Sequence, residues 1–306
     1  MRGYITDPNA PGGLRLGELE DPSPAPNEAV IAVRAFGVNR GELSLLARRP
    51  DGWTPGQDVS GVIARPAPDG TGPAAGTRVV GMADHGGWAE QVAVPLHRLA
   101  VIPDSVSFAD ACALPVAGLT ALRSLRTGGA LIGRRVLVTG ATGGVGHFAV
   151  QLARVAGAHV AALVSVADRV RAAEALGANE VFVGVVGEAA PYDLVLDGVG
   201  GAVLVDALHH VGKDGMVTTY GMAAGESSTI SFTDFPRTSH ARLMGFFIYE
   251  TDESTFGEDL GLLAGLLGDG RLIVESSTRR DWSETLEALA ELRDRKVVGK
   301  VTLTID

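Results

Sequence analysis

The sequence predicts an α/β protein of two domains, a β-rich one followed by a doubly wound parallel sheet. Three observations lead there. The 306 residues are ample for a large core, and 46% hydrophobic with 20% charged residues is the composition of an ordinary globular chain. Over the first 115 residues, short Val/Ile-rich runs such as 29–33, 59–63 and 78–81 alternate with Gly, Pro and Asp turns, the spacing of a partly rolled β domain. From about Pro115 onward, strands alternate with helix-length segments, the signature of βαβ units.

Six strands are expected in this second part, at 135–139, 159–164, 180–183, 193–197, 216–220 and 243–248, enough for two mononucleotide-binding halves. Helical patterns at 255–267 and 283–293 and a strand at 300–305 follow, and this tail is expected to return to the first domain. The predicted division is therefore 1–115 plus 251–306, and 116–250. The Pro/Gly-rich stretch 66–73 reads as a surface turn inside the first domain.

A formal charge of −10 without any Lys/Arg-rich run argues against a nucleic-acid partner, since phosphate recognition needs a basic surface. The N-terminal residues lack an apolar h-region and no stretch reaches the roughly 18 apolar residues that span a bilayer, so no membrane association and a cytoplasmic location are expected. Cys112 is the only cysteine, which removes an intramolecular disulfide and a cysteine-based zinc cluster; in its apolar run a buried thiol is the simple reading.

The strand 135–139 leads directly into Gly140-Ala141-Thr142-Gly143-Gly144-Val145-Gly146, and an apolar helical pattern follows at once. Glycines there let the main chain turn tightly and approach a pyrophosphate, while helix N-terminal N–H groups supply donors. The spacing is Gly-x-x-Gly-x-x-Gly and not GxGxxG, so a glycine turn closing an ordinary βα unit remains the bland alternative. At the end of the second strand, where an acid would hold the ribose of NAD, Val164-Ser165-Val166-Ala167 has none, and Arg169 and Arg171 follow. A guanidinium there suits a 2′-phosphate and hence NADPH; alternatively Ser165 to Asp168 forms a capping box and Arg169 is merely solvated.

With these residues in view, the chain resembles the medium-chain dehydrogenase/reductase superfamily, in its zinc-independent quinone oxidoreductase branch. The resemblance is carried by Gly37-Val38-Asn39-Arg40-Gly41-Glu42, Pro55-Gly56-Gln57-Asp58-Val59-Ser60-Gly61-Val62, Gly87-Trp88-Ala89-Glu90, Ala113-Leu114-Pro115-Val116-Ala117-Gly118-Leu119-Thr120-Ala121, the glycine turn with His147-Phe148-Ala149, Leu176-Gly177-Ala178 and Gly299-Lys300-Val301. It implies a GroES-like catalytic domain completed by the C-terminal tail and a Rossmann cofactor domain. It also implies a homodimer formed through the 243–248 strand. Zinc-dependent members carry Cys where this chain has Asn39 and a His-Glu pair where it has Gln57-Asp58, so the resemblance implies no metal.

By the same resemblance Asn39, Glu42 and Thr120 are the expected catalytic residues. The expected NADPH contacts are Gly140, Thr142, Gly143, Gly144, Val145, Gly146, Ser165, Arg169, Gly198, Val199, Tyr220, Gly221, Met222, Phe246, Phe247, Ile248 and Lys300. Ser44 and Gly184 depart from the family pattern, each standing where many relatives have a tyrosine. The implied chemistry is hydride transfer from NADPH to a quinone or an α,β-unsaturated carbonyl, with donors aimed at the carbonyl oxygen. Asn39 is such a donor or else bonds the main chain. Glu42 relays a proton if burial raises its pKa, or else serves the helix N-terminus. Thr120 is read as opening a helix, and His85, Trp88, His240 and Tyr249 as packing or surface residues before chemical ones. Two further readings stay open: an auxiliary enoyl reductase acting on a carrier-bound acyl chain, and an NADPH-binding protein without turnover.

Overall fold

The computed structural model describes residues 1–236 and 240–305. In chain order, β1 (Arg2–Thr6) and β2 (Leu14–Glu18) precede β3 (Glu28–Val38), α1 (Arg40–Leu46), β4 (Asp58–Arg65), β5 (Arg78–Met82), β6 (Gln91–Pro95), β7 (Leu99–Val101), α2 (Phe108–Ala111) and α3 (Pro115–Arg126). Then come β8 (Arg135–Thr139), α4 (Gly146–Val155), β9 (His159–Val164), α5 (Val170–Ala175), β10 (Glu180–Val183), β11 (Tyr192–Asp197), α6 (Gly201–His209), β12 (Val211–Thr219) and β13 (Arg242–Gly245). The tail supplies α7 (Phe256–Gly268), β14 (Thr278–Asp281), α8 (Thr285–Arg293) and β15 (Val301–Thr304). Two compact units result: Met1–Leu119 with Asp252–Asp306, and Thr120–Thr251.

The first unit is organised by β3. One edge of this 11-residue strand pairs with β4; the other is shared, Glu28 to Ala32 pairing with β6 and Ala35 to Val38 with β15. The sheet order is β14-β15-β3-β4-β5-β7, with β6 on β3. Because β3 is covered on both faces, its sequence is nearly continuously apolar, with Val30, Ile31, Val33, Ala35 and Phe36 all buried. Phe36 stacks on the fully buried Trp88 with ring centroids 5.7 Å apart, and Tyr4 meets Trp282 edge-on while its hydroxyl donates to the Trp282 carbonyl at 2.8 Å.

The second unit is a six-stranded sheet in the order β10-β9-β8-β11-β12-β13, parallel at every pairing. The order runs outward in one direction from β8 and in the other from β11, so the topological switch lies between these two strands. Ligands bind at that crevice, outside the carboxyl ends of the strands, in folds of this kind. Their sequences, RVLVT and YDLVLD, are apolar runs because helices cover both faces.

Four sequence expectations need correction. The last sheet strand ends at Gly245 and not at 248: its partner β12 stops at Thr219, the Phe246 N–H makes the final bond to the Thr219 carbonyl, and 248–250 turn into a short 3-10 helix. β12 itself starts at Val211, five residues earlier than expected, through a register shift opposite Tyr192. Thr120 does not open a helix but lies in the middle of α3, which starts at Pro115, where a missing N–H is harmless. No capping box forms at Ser165: Val166 is the N-cap residue of the 167–169 turn and makes no side-chain cap. Among the described residues no helix is long and apolar enough to cross a membrane.

Candidate functional site

In the first unit, Asn39 directly precedes α1 and Glu42 is the third residue of that helix. The Glu42 carboxylate accepts the main-chain N–H of Asn39 at 2.7 Å and that of Gln57 at 3.2 Å, so it ties the helix start to the chain entering β4. Asp58, the next residue, is completely buried. Its Oδ1 accepts the Val116 N–H at 2.9 Å at the start of α3, and its Oδ2 accepts Asn39 Nδ2 at 2.8 Å and Lys300 Nζ at 2.9 Å. Lys300, only 1% exposed, also donates to Asn39 Oδ1 at 2.6 Å. Gly37 leaves the room: a Cβ there would stand 2.6 Å from the Cys112 carbonyl and 3.0 Å from Asp58 Cβ. A buried carboxylate and ammonium are tolerable only when paired and hydrogen-bonded, and both are.

Burial, reinforced by the Asp58 charge, pushes the Glu42 carboxyl up to about 8, against the opposing pull of its two N–H donors and of Lys300. Glu42 thus serves the helix start, and burial meets the condition on which a proton-holding role is expected. The Cys112 thiol is buried and pushed up in pKa by desolvation, a packed and inert group.

In the second unit, Gly140 has φ +59°, and a Cβ on Gly146 would collide with the Gly140 carbonyl at 2.3 Å; the turn folds so tightly that glycine is required at both places. The main-chain N–H groups of Thr142, Gly144 and Val145 meet no acceptor among the described residues. Arg169 reaches back from the end of β9 and donates to Thr142 Oγ1 at 3.2 Å.

Asp197, fully buried at the end of β11, holds the neighbouring strand ends together. It accepts Thr139 Oγ1 at 2.6 Å across the topological switch, Thr219 Oγ1 at 3.1 Å from β12, and the Gly200 N–H at 3.0 Å. The Gly198 N–H donates in turn to Thr139 Oγ1 at 3.2 Å. The loops after β11 and β12 zip together through Tyr220 N–H to the Asp197 carbonyl at 2.8 Å and Ala224 N–H to the Val199 carbonyl at 2.8 Å. The Tyr220 ring lies so close over Gly198 that a Cβ there would stand 2.7 Å from it, while Val199 reaches within 3.1 Å of the Cβ position of Gly140. Burial, with Asp197 adding to it, raises the Tyr220 pKa, so the phenol keeps its proton.

The structure therefore gathers Asn39, Glu42 and Lys300 in one cluster, and the glycine turn, Arg169, Gly198, Val199, Tyr220 and Gly221 at the carboxyl ends of one sheet. Ser165, Met222 and Phe247 are exposed, whereas Phe246 and Ile248 pack inward. Thr120 is buried within α3, its carbonyl accepting Ser124 Oγ at 2.6 Å. Of the minor candidates, Trp88 is core, His85 and Tyr249 are exposed, and His240 is exposed with φ +44°. The organising role of Asp197, and the Val116 and Lys300 partners of Asp58, were not assigned from sequence. The available signal was an acid closing or opening an apolar strand, which demands donors. Among the described residues no group of three His, Cys, Asp or Glu side chains is arranged to hold a metal ion.

Comparison with known proteins matches the chain in tandem to two family models, the alcohol dehydrogenase GroES-like domain over residues 25–104 and the zinc-binding dehydrogenase domain over 144–265. The chain belongs to the medium-chain dehydrogenase/reductase superfamily. Within this oxidoreductase superfamily it falls in the quinone oxidoreductase branch. The chloroplast envelope quinone oxidoreductase homolog of Arabidopsis thaliana is 36% identical over 185 residues, which cover 55% of this chain and 56% of that protein. Erythronolide synthase of Saccharopolyspora erythraea is 32% identical over 94% of this chain but only 8% of its own length. The chain thus spans about half of the first relative and a small part of the second. Among solved structures, a mycobacterial protein in complex with NADPH is 25% identical, with a TM-score of 0.88 and full coverage of both chains.

The raised Glu42 pKa has a definite thermodynamic sign. The folded state holds a proton on Glu42 between its ordinary value and about 8, where the unfolded chain has released it, so the carboxyl lowers stability as pH rises through that window. Glu42→Gln, which cannot ionise, should remove this slope. The wild type is expected to lose on the order of a few kcal/mol relative to the variant between pH 5 and 9. Parallel denaturant melts across that range check it, and equal slopes for the two proteins refute it.

Proposed function

We propose that the chain is an NADPH-dependent oxidoreductase that reduces a quinone or an α,β-unsaturated carbonyl without a metal ion. The observation that carries this reading is the Lys300 ammonium, 2.6 Å from Asn39 Oδ1 and 2.9 Å from Asp58 Oδ2. By the resemblance, Asn39 and the Gln57-Asp58 pair stand where zinc-dependent relatives carry a cysteine and a His-Glu pair, and here a cation that belongs to the protein already neutralises Asp58. A dication at the same oxygens would be strongly repelled by that buried ammonium, and neutral amides are poor zinc ligands. The matched model described as a zinc-binding dehydrogenase spans 144–265, which contains none of residues 39, 57 and 58.

The residues of the second unit fit a dinucleotide. Unpaired N–H groups of Thr142, Gly144 and Val145 suit a pyrophosphate, and the glycine turn leaves no side chain in its way. Arg169 beside Thr142 suits the 2′-phosphate that separates NADPH from NADH. Val199, Tyr220 and Gly221 stand at the same strand ends and are the proposed neighbours of the nicotinamide half, with Thr120, Phe246 and Ile248 as the remaining contacts carried by the family resemblance. Bound NADPH supplies a hydride. What the chain contributes is an amide donor at Asn39 for the carbonyl oxygen of the acceptor and, at Glu42, a carboxyl that holds a proton near neutral pH. By the same family resemblance the chain is proposed to act as a homodimer.

The match to erythronolide synthase favours one second reading, in which the same chemistry acts on a carrier-bound enoyl chain. Steady-state assays separate the possibilities: NADPH oxidation is expected with a 1,4-benzoquinone or a simple enone. Turnover only with carrier-bound or thioester enoyl substrates favours the second reading, and tight NADPH binding without any turnover would favour a binding protein.

Arg169→Ala is expected to weaken NADPH about tenfold or more while leaving NADH nearly unchanged, as loss of a charged hydrogen bond predicts; equal losses for both cofactors would sink the 2′-phosphate assignment. Protein purified without chelator should contain no stoichiometric zinc by elemental analysis, and one zinc per chain overturns the metal-free reading.

A further inference from the structure

An asparagine amide offers two N–H donors and one carbonyl acceptor, and its two orientations differ only by a flip that ordinarily costs little. At Asn39 the flip is forbidden by charge. Oδ1 faces the Lys300 ammonium at 2.6 Å and Nδ2 faces the Asp58 carboxylate at 2.8 Å, while the ion pair itself closes at 2.9 Å. Reversing the amide would set an oxygen against a carboxylate and N–H groups against an ammonium, and both of these charged groups are buried. Asp58 and Lys300 are wholly buried, whereas Asn39 is partly exposed, so Asn39 is the one member of the triad with surface open to solvent. One Nδ2 hydrogen is consumed by Asp58, and the second meets no acceptor among the described residues.

We infer that Asp58 and Lys300 are positioning residues whose task is to lock the Asn39 amide in one orientation, with one N–H left to donate to the carbonyl oxygen of the acceptor. The inference rests on the oxidoreductase reading for its catalytic consequence but not for the lock itself. A buried ion pair is a weak source of stability, because desolvation offsets most of its attraction, so orientation is what it contributes. The Val116 N–H on Asp58 Oδ1 adds a further constraint, fixing the carboxylate plane that Asn39 has to follow.

The lock can be read without any substrate. The chain has four asparagines, at 9, 27, 39 and 179, so protein labelled with 15N at asparagine gives few side-chain signals, and Asn39→Ser identifies the pair that belongs to Asn39. In the wild type that pair should show one N–H protected from solvent exchange and one exchanging freely; two equally fast N–H groups overturn the inference. Removing both charges together, in Asp58→Asn/Lys300→Met, avoids an unpaired buried ion and should leave a folded protein in which the protection is lost. Retention of the wild-type pattern in that variant also overturns it.

In turnover, the double variant should lose about 10²-fold in kcat, as small misplacements of a catalytic group do, in parallel with the lost protection of the Asn39 pair. Unchanged kcat in a folded variant whose Asn39 pair has lost its protection refutes the catalytic consequence. If the wild type itself reduces no acceptor, the oxidoreductase reading fails, and the exchange experiment still decides the lock.

Discussion

The Asp58 carboxylate is the point on which the first unit turns. Four stretches of chain that are far apart in sequence meet at its two oxygens: the end of β3 through Asn39, β4 through Asp58 itself, the start of α3 through Val116, and the C-terminal strand through Lys300. None of these contacts is strong on its own, since a buried ion contributes little net stability after desolvation. Its importance is geometric. A carboxylate in a site without water has to be satisfied completely, and only one arrangement of the four segments does so. The sharing of the β3 edge between β6 and β15 brings Lys300 to this place, because β15 can pair only where β6 has left off.

The second unit repeats the device with neutral donors. Asp197 ends an apolar strand, where hydroxyls of Thr139 and Thr219 and the N–H groups of its own following loop converge on it. The bond to Thr139 spans β8 and β11, the two strands between which the sheet changes direction. The crevice that such a switch leaves open is therefore clamped at its base by one side chain. The glycine turn, Val199 and Tyr220 lie close together beside that clamp, and the absence of a Cβ at Gly198 lets the Tyr220 ring lie against the chain. Both units thus use a buried aspartate to fix backbone whose side chains or N–H groups are left for other partners.

A cation supplied by the protein also changes what the neighbouring residues can do. With Lys300 compensating Asp58, Glu42 is the carboxyl of this cluster with no ion-pair partner within salt-bridge distance among the described residues, and burial raises it toward neutrality. Charge and orientation are consequently set by the same cluster: the ion pair holds the amide, and the nearby carboxyl holds the proton.

Periodicity and turn chemistry alone determined the order of elements, the parallel sheet, the tight glycine turn and the presence of Arg169 beyond the second strand. These are local properties, in which each residue's conformational preference and spacing already speak for the backbone it adopts. The motif resemblance supplied Asn39 and Glu42. The tertiary structure alone decided what those residues touch. Lys300 stands 261 residues from Asn39, and nothing in either neighbourhood tells that an ammonium and an amide will share one aspartate. The end of β13 was equally out of reach, because a strand stops where its partner stops, and the apolar run 243–248 carries no record of where β12 turns away. Pairings across the sheet and the completeness of buried hydrogen bonding are properties of the assembled interior, and they came into being only when the distant segments met.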